Sequence, residues 1–374
     1  MSKLEKLIQQ YCPDGVEYKA LGEVTIMKRG TSATKGIMQA GNIPVISGGR
    51  QPAFYCNASN RTGEVITVAG SGAGAGYVQY WNEPIFVCDA FSIQGNETLN
   101  TKYVYYVLTS IQEKIYSTKK GGGVPHVHIS SIDKFEIPVP PLPVQEEIVR
   151  ILDAFTELQA ELQAELQKRK QQYNHYLDNL LNFKNINRGG QEIKWMRMSE
   201  IGNNLDKKRK PITAGKREPG QIPYYGASGI VDYVKDYLFD GDYLLVSEDG
   251  ANLLTRTYPI AFSIHGKTWV NNHAHVIEFK ERATRKYVEY YLNSIDLSPW
   301  ISAGAQPKLT QDSLNKLTIP VPPLAEQQRI VFILDRFDTL TNDLTSGLPA
   351  EMEKRRQQYE FYRDKLLTFK RKEA

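Results

Sequence analysis

The chain of 374 residues is long enough for two or three folded domains, and its 41% hydrophobic and 24% charged residues are typical of a soluble globular protein. Its net charge of +4 is too small to indicate nucleic-acid binding by itself, and its three cysteines lack metal-ligand spacing, which favours reduced thiols in a cytoplasmic protein. No run reaches the ~18 apolar residues of a membrane-spanning helix, and the first residues lack the apolar core of a signal peptide.

The first half of the chain mixes short strands with few helices. An amphipathic helix over residues 3–11 precedes a turn signal, Cys-Pro-Asp-Gly, at 12–15. Alternating apolar residues predict strands at 64–68, 77–81 and 84–87, and helical spacing predicts a helix over 102–116. This mixture indicates an α+β region.

A proline-rich segment then leads into a long helix. Beyond Pro143, apolar residues recur at three- and four-residue spacing as far as Leu181, with Glu, Gln, Lys and Arg on the other face. About forty residues at ~1.5 Å each make a rod of roughly 60 Å. Such a rod must bury its apolar stripe.

This segment occurs twice in the chain. Ile-Pro-Val-Pro-Pro-Leu at 137–142 returns at 319–324, an offset of 182 (319 − 137), and an Ile-Leu-Asp triplet follows in both copies. Farther along, the offset is 186 (354 − 168), so the second copy has four extra residues. We place them near Gly347 and Pro349, where the helix should bend or be interrupted. The chain is therefore two copies of one module.

The stripes of the two long helices are expected to cover each other as a coiled coil. The alternative is that each helix packs on its own globular domain. The residues predicted to form the helix contact are Ile148, Leu152, Phe155, Tyr173, Ile330, Leu334, Phe337 and Tyr359.

The globular halves diverge more than the helices. The second half repeats the order of the first only loosely, and residues 184–191 look like a linker between the modules. Two globular domains that bind different targets on a shared pair of helices would diverge in this way. Unconstrained sequence drift is the alternative.

Catalytic motifs find no support in the sequence. The glycine-rich run at 70–76 should open a helix if it bound a nucleotide, but a strand pattern follows, so we predict a hairpin. The Pro-Pro pairs precede leucine, whereas a DNA amino-methyltransferase needs an aromatic residue there. Asp14, Glu17 and Lys19 are too close in sequence for a nuclease site, and His126 with His128 has no further metal ligands.

Features of nucleic-acid binding are stronger. Basic runs at 28–29 and 207–210 could neutralise phosphates, and nearby loops offer side chains that pair with base edges in the major groove. Solvated charged loops are the alternative. The predicted DNA contacts are Lys28, Arg29, Ser47, Gly49, Arg50, Gln51, Ser71, His126, Lys207, Lys208, Arg209, Lys210, Ser228, Asn252, Arg256, Asn271, Asn272, Gln306 and Lys308.

The repeated motifs carry a family resemblance over nearly the full length. They are the proline-rich hexapeptide with Gln145 or Gln327 downstream, Ile-Leu-Asp before Phe155 or Phe337, and the sequence Lys-Arg-Arg-Gln-Gln-Tyr-Glu-Phe-Tyr-Arg-Asp-Lys-Leu-Leu-Thr-Phe, which ends at Phe369. The opening Cys-Pro-Asp-Gly-Val-Glu-Tyr-Lys is similar too. Together they resemble the specificity (S) subunits of type I restriction-modification systems.

That resemblance implies a fold and a domain order. The fold would be α+β, with two tandem globular α/β target recognition domains joined by two long antiparallel coiled-coil helices in a pseudo-two-fold repeat. The first domain would span residues 1–142 and the central helix 143–184. The second domain would span 185–324 and the C-terminal helix 325–374.

The resemblance also implies a function. Each domain would read one half of a bipartite target in duplex DNA, and the helices would fix the spacer and dock two methyltransferase (M) subunits, which bind S-adenosylmethionine and methylate adenine at N6. Restriction (R) subunits would use ATP and Mg. This chain would hold no cofactor or metal and catalyse nothing. The alternatives are an enzyme with its own methyltransferase or nuclease site, and a coiled-coil DNA-binding regulator, although a dimeric regulator would need only one module.

Overall fold

The computed structural model describes residues 2–33, 39–183, 193–302 and 306–373. The chain divides into two compact units. The first unit comprises Met1–Gln163 and Glu351–Ala374, and the second comprises Ala164–Ala350. The predicted linker at 184–191 lies outside the described residues. Within those residues, no helix combines the length and apolarity that crossing a membrane requires.

Within its described residues, the first unit contains three sheets and several short helices. Its elements are α1 (Lys3–Tyr11), β1 (Glu17–Ala20), α2 (Leu21–Val24), β2 (Thr25–Arg29), β3 (Ile43–Ile46), β4 (Phe54–Cys56), β5 (Val65–Ala69), β6 (Val78–Trp81), β7 (Phe86–Val87), β8 (Ala90–Gly95), α3 (Thr101–Ser110), α4 (Gln112–Tyr116), α5 (Ile129–Ile132), β9 (Glu136–Val139) and the start of α6 (Leu142–Leu181).

The main sheet of this unit has the strand order β2-β8-β5-β6, with antiparallel pairing throughout. All five residues of β5 are buried, as expected of a central strand without a solvent face. A smaller sheet, β4-β3-β7, pairs β3 with β7 in parallel, and β1 pairs with β9.

The second unit repeats this topology. Its elements are the end of α6, β10 (Lys194–Arg197), α7 (Met198–Ile201), β11 (Asn203–Asn204), β12 (Pro219–Gly226), β13 (Gly229–Val234), β14 (Phe239–Asp240), β15 (Tyr243–Ser247), α8 (Asn252–Thr255), β16 (Ala261–Ile264), β17 (Lys267–Val270), β18 (Ala274–Glu278), α9 (Arg282–Ser294), α10 (Gln311–Lys316), β19 (Thr318–Val321) and α11 (Leu324–Asn342).

The strand orders β11-β18-β15-β16 and β13-β12-β17-β14 match the two larger sheets of the first unit, with β14 added at one edge. The final helix, α12 (Leu348–Leu366), begins in the second unit and ends in the first. The predicted α+β fold with an internal repeat is confirmed.

Local predictions in the first unit are largely confirmed. The helix over 3–11 is α1, which begins at a capping box between Ser2 and Glu5. The strands at 64–68 and 77–81 are β5 and β6. The glycine-rich run joins these antiparallel strands, so it forms the predicted hairpin.

Two boundaries differ from the prediction. The strand at 84–87 is reduced to Phe86–Val87, because Ile85 pairs instead with Arg61 in an isolated bridge. The helix over 102–116 is divided into α3 and α4 at Ile111, whose φ of −107° and ψ of 23° lie outside the helical region.

The repeated motifs make the same hydrogen bonds in both units. Gln145 donates to the carbonyl of Pro140 at 2.6 Å, and Gln327 donates to that of Pro322 at 2.8 Å. The aspartate of each Ile-Leu-Asp triplet accepts from a tyrosine hydroxyl. These pairs are Tyr106–Asp153 at 2.5 Å and Tyr290–Asp335 at 2.7 Å. The identical residues therefore fasten each long helix to its own globular part.

The long helices are covered from two sides. In the first unit, Ile148 and Leu152 are fully buried, and Phe155 stacks on Tyr362 of α12 with ring centroids 5.5 Å apart. Tyr359, also on α12, packs against the same core. Leu366 near the end of α12 also packs against this core.

In the second unit, Tyr173 of α6 stacks on Phe337 of α11 at 6.3 Å. Ile330 and Leu334 are fully buried in a core cluster that also contains Leu180 of α6. Each helix thus contacts both a globular part and the opposing helix, so the two modes of packing that the sequence left open both occur.

The second long helix is interrupted where the sequence predicted. It stops at Asn342 and resumes at Leu348, with Pro349 in the first turn of α12. A Cβ on Gly347 would lie 2.4 Å from the carbonyl oxygen of Thr339, so this turn requires glycine. Asp343 accepts hydrogen bonds from Thr345 and Ser346 in the turn.

Candidate nucleic-acid interface

Three segments of the first unit meet near the points where β3 and β5 end. They are residues 47–51 after β3, the hairpin at 70–76, and residues 120–126, here called the first loop cluster. Ser71 pairs with His126 through the backbone, and the amide of Gly72 donates to the carbonyl of Pro125 at 3.0 Å. A cavity lined by 47–50, 71–74 and Asp89 lies between the first two of these segments.

Glycine allows this close approach. A Cβ on Gly74 would lie 2.4 Å from the carbonyl oxygen of Gly48, and one on Gly48 would lie 2.2 Å from that of Ser71. Gly72 has a φ of +77°, which L residues rarely adopt. The hairpin and the loop therefore touch backbone to backbone, and the approach that the glycines permit is to another loop of the same chain.

Most predicted contacts of the first half lie in this cluster. Gly49, Arg50 and Gln51 are exposed at its rim, and Ser47, Ser71 and His126 are partly buried within it. The guanidinium of Arg50 lies 5.0 Å from the ring centroid of Tyr77, which holds the arginine over an aromatic face.

Lys28 and Arg29 lie outside this cluster, exposed on β2 at the edge of the main sheet. The carbonyl of Arg29 accepts a hydrogen bond from Arg61 at 2.8 Å. Both cationic side chains remain at the surface, where they could meet phosphates.

The second unit brings the corresponding segments together. Residues 226–229, 248–252, 271–273 and 306–308 form the second loop cluster. The amide of Gly250 donates to the carbonyl of Pro307 at 3.1 Å, and Asp249 pairs with Lys308, just as Ser71 pairs with His126. The amide of Glu248 donates to the carbonyl of His273 at 2.9 Å.

The predicted contacts of the second half fall into two groups. Ser228, Asn272, Gln306 and Lys308 are exposed in the second loop cluster, and Lys207, Lys208 and Lys210 are exposed on the segment after β11. The other four predicted contacts make hydrogen bonds or ion pairs within the unit; they are Arg209, Asn252, Arg256 and Asn271.

Arg256, Asn252 and Asn271 each close a backbone segment. Arg256 donates to carbonyls at the end of α9, those of Leu292 at 3.4 Å and Ile295 at 3.0 Å. Asn252 exchanges two hydrogen bonds with the backbone of Tyr258. The buried Asn271 accepts from the amide of His273 at 2.8 Å.

Arg209 is held inside a group of charges. Its guanidinium lies 2.6 Å from Glu248 and 3.2 Å from Asp206, and its side chain is only 11% exposed. Asp206 also contacts the fully buried His275 at 2.6 Å, and Lys308 lies 3.0 Å from the other oxygen of Glu248. These five side chains are called the Glu248 network.

Contacts within the network stabilise the ionised forms of Asp206 and Glu248. Burial raises the pKa of Asp206, but the hydrogen bond and charge of His275, with the charge of Arg209, outweigh it and hold that pKa below its usual value. Burial likewise opposes ionisation of Glu248, and hydrogen bonds from Arg209 and Lys308 lower its pKa overall.

The ligand atoms of Asp206, Glu248 and His275 lie within 4.8 Å of one another, which is close enough for a shared cation. Arg209 and Lys308 already supply positive charge to the carboxylates. A metal is therefore not needed to balance them. Sequence reasoning missed this group, although a histidine at an inward position of a buried strand, here β18, was a usable signal.

Comparison with known proteins identifies the family. The sequence model for the type I restriction modification DNA specificity domain matches residues 13–169 and 191–354, which is most of the chain and one match per repeat. The chain belongs to the family of type I restriction-modification specificity subunits. It has two tandem target recognition domains, one within each matched segment.

Two curated members of this specificity-subunit family show the extent of the similarity. The EcoR124I/EcoR124II specificity subunit of Escherichia coli is 32% identical over 100% of this chain and 98% of its own length. A putative type I restriction enzyme specificity subunit of Haemophilus influenzae is 40% identical, but the match covers 48% of this chain and 47% of that protein. The chain thus spans about half of the latter relative.

Solved structures of specificity subunits share the fold. The crystal structure of the S subunit from M. genitalium matches with a TM-score of 0.65 at 18% identity, covering 94% of this chain and 96% of that one. A chain from a study of complex assembly and conformational transition of the type I restriction-modification system matches with a TM-score of 0.59 at 16% identity. These similarities concern the fold alone.

Proposed function

We propose that this chain directs a type I restriction-modification complex to a bipartite sequence in duplex DNA. The first loop cluster would read one half-site and the second loop cluster the other. The proposal rests on one observation. Corresponding loops of the two units make the same backbone contacts but have different side chains. A purely structural feature would not need to differ between the units.

The exposed side chains of each cluster suit base readout. Arg50 and Gln51 in the first cluster, and Asn272, Gln306 and Lys308 in the second, are exposed donors or acceptors. Arg and Lys pair with guanine, and Asn and Gln pair with adenine, in the major groove. Lys28, Arg29, Lys207, Lys208 and Lys210 would contact phosphates and set the orientation of the duplex.

The partners supply the chemistry in this proposal. Two methyltransferase subunits would dock on the helices, bind S-adenosylmethionine and methylate adenine at N6 after flipping it from the duplex. Restriction subunits would bind ATP and Mg. The chain itself would act by recognition, without a cofactor of its own, and the length of the helices would set the unread spacer.

The test is a map of methylated adenines in cells that express this chain with its candidate methyltransferase partner, beside cells that lack this chain. A bipartite motif that depends on this chain is the expected result and supplies both half-sites. Arg50→Ala should then alter one half-site only, which assigns that half-site to the first unit. Methylation by this chain alone would contradict the proposal, as would a complex that forms without new methylation.

A further inference from the structure

The two loop clusters are held in place by different chemistry. Backbone pairing identifies corresponding positions, because Gly70 donates to the carbonyl of Asp89 and accepts from Val127, as Glu248 does with His273 and Leu309. By the same register, Phe91 of β8 corresponds to His275 of β18, since Ala90 pairs with Ala69 and Ala274 with Ser247. The first unit therefore has glycine and phenylalanine where the second has a carboxylate and an imidazole.

The Glu248 network connects four of the segments that carry predicted contacts in the second unit, and residues 226–229 lie outside it. Asp206 and Arg209 belong to the segment with the exposed lysines, and Glu248 begins the loop at 248–252. His275 lies just after the loop at 271–273, and Lys308 belongs to the segment at 306–308. Four chain segments thus meet at one group of charges.

The geometry leaves little freedom in this group. One oxygen of Glu248 lies 2.6 Å from Arg209 and the other lies 3.0 Å from Lys308, so the carboxylate bridges two cations. The guanidinium of Arg209 also donates to the carbonyl of Ala274 at 2.8 Å. A planar guanidinium with several directed donors holds its partners at fixed angles, which a single ammonium group cannot do.

His275 adds a further constraint. Its Nε2 lies 2.8 Å from the carbonyl oxygen of Leu309, which can only accept, so Nε2 carries a hydrogen. Its Nδ1 lies 2.6 Å from a carboxylate oxygen of Asp206. Asp206 in turn accepts from the amide of Val276 at 2.9 Å. The ring therefore links β18 to the segments on either side of it.

We infer that the Glu248 network positions the second loop cluster and thereby determines which bases the second unit accepts. Glu248 and Arg209 act as positioning residues, and Lys308, half exposed and held by Glu248, is the member that reaches the surface. The inference rests on the proposed function, since it assigns the second half-site to this cluster. In the first unit, close backbone contacts at glycine residues position the first loop cluster instead.

The test uses the complete complex with its methyltransferase partner and compares Glu248→Gln with the parent protein. Glutamine keeps the shape of the side chain but removes the charge that pairs with Arg209 and Lys308. We expect discrimination at the second half-site, measured as methylation of the cognate site against sites with single base changes, to fall at least tenfold. Discrimination at the half-site altered by Arg50→Ala should stay unchanged and serves as an internal control.

Glu289→Gln is the matched control variant. Glu289 is a partly buried carboxylate of the second unit, its side chain 13% exposed against 11% for Glu248, and it pairs with Lys286 at 2.6 Å on α9. It should leave both half-sites as they are. Lys308→Gln, at a side chain 47% exposed, provides a variant that keeps the fold if Glu248→Gln does not assemble.

Several outcomes would overturn the inference. They are unchanged discrimination in both Glu248→Gln and Lys308→Gln, equal weakening at both half-sites, or the same effect from Glu289→Gln. Failure of the proposed function is distinguishable, because the parent complex would then show no bipartite motif at all.

Discussion

The cationic residues of the predicted interface divide into those exposed to solvent and those that bind partners within the protein. Arg209 and Lys208 are adjacent in one basic run, yet Lys208 is exposed while Arg209 is ion-paired and 11% exposed. Arg256 likewise donates hydrogen bonds to carbonyls at the end of α9. Sequence alone groups these cations together, because Glu248, the carboxylate nearest to Arg209, is 39 residues away.

The exposed lysines give the first residue-scale prediction. Lys207→Ala with Lys208→Ala should weaken DNA binding on all sequences and reduce the slope of log affinity against log salt by about 1.8, since each phosphate contact contributes about 0.9. Fluorescence anisotropy at several salt concentrations measures the slope. Lys235→Ala and Lys316→Ala, at exposed lysines paired with carboxylates, are the controls. An unchanged slope at low salt would remove this pair from the interface.

Arg256 should affect stability instead of recognition. Arg256→Ala removes two hydrogen bonds to carbonyls, so we expect the free energy of unfolding to fall by about 1–3 kcal/mol. Urea denaturation measures the loss, and Thr257→Ala, at an exposed neighbour, is the control. A change in the methylated sequence without loss of stability would make Arg256 a reader.

At the scale of elements, the two units share the hydrogen bonds that hold their long helices and differ in their loops. The repeated Gln and Asp residues fasten each long helix through the same hydrogen bonds in both units, as in Tyr106–Asp153 and Tyr290–Asp335. The loops that follow β5 and β15 are then free to differ. One is a glycine hairpin and the other contains a short helix, α8.

The glycine hairpin gives an element-scale prediction. Gly74→Ala places a Cβ 2.4 Å from the carbonyl oxygen of Gly48, so the hairpin and the loop at 47–51 must separate. We expect weaker discrimination at the first half-site and none lost at the second, measured by methylation of singly substituted sites. Gly122→Ala is a matched control, since its Cβ meets nothing within 4 Å in the same cluster. Equal effects of both variants would contradict the role of close packing.

At the scale of the whole molecule, each long helical segment belongs to both units. α6 passes from the first unit to the second at Gln163, and α12 returns to the first at Glu351. Insertions at these two boundaries therefore lengthen the connections without changing the interior of either unit.

The boundaries give a prediction for the spacer. Seven helical residues inserted after both Gln163 and Ala350 add about 10.5 Å and nearly two turns. Under the proposed function, the spacer in the methylated motif should lengthen by about three base pairs at ~3.4 Å each, with both half-sites unchanged. Methylome mapping measures it. An unchanged spacer would show that the helices do not set the separation.

The sequence by itself determined the two modules, the long helices, the break near Gly347 and the family. These properties arise from short motifs and helical periodicity, which act over a few residues and occur twice. Only the tertiary structure decided which loops meet and which charged side chains remain free. The contacts of Glu248 with Arg209 and of His275 with Asp206 join residues 39 and 69 positions apart, and no local pattern encodes such contacts. Local periodicity therefore specified the scaffold, and long-range packing specified the surfaces that it presents.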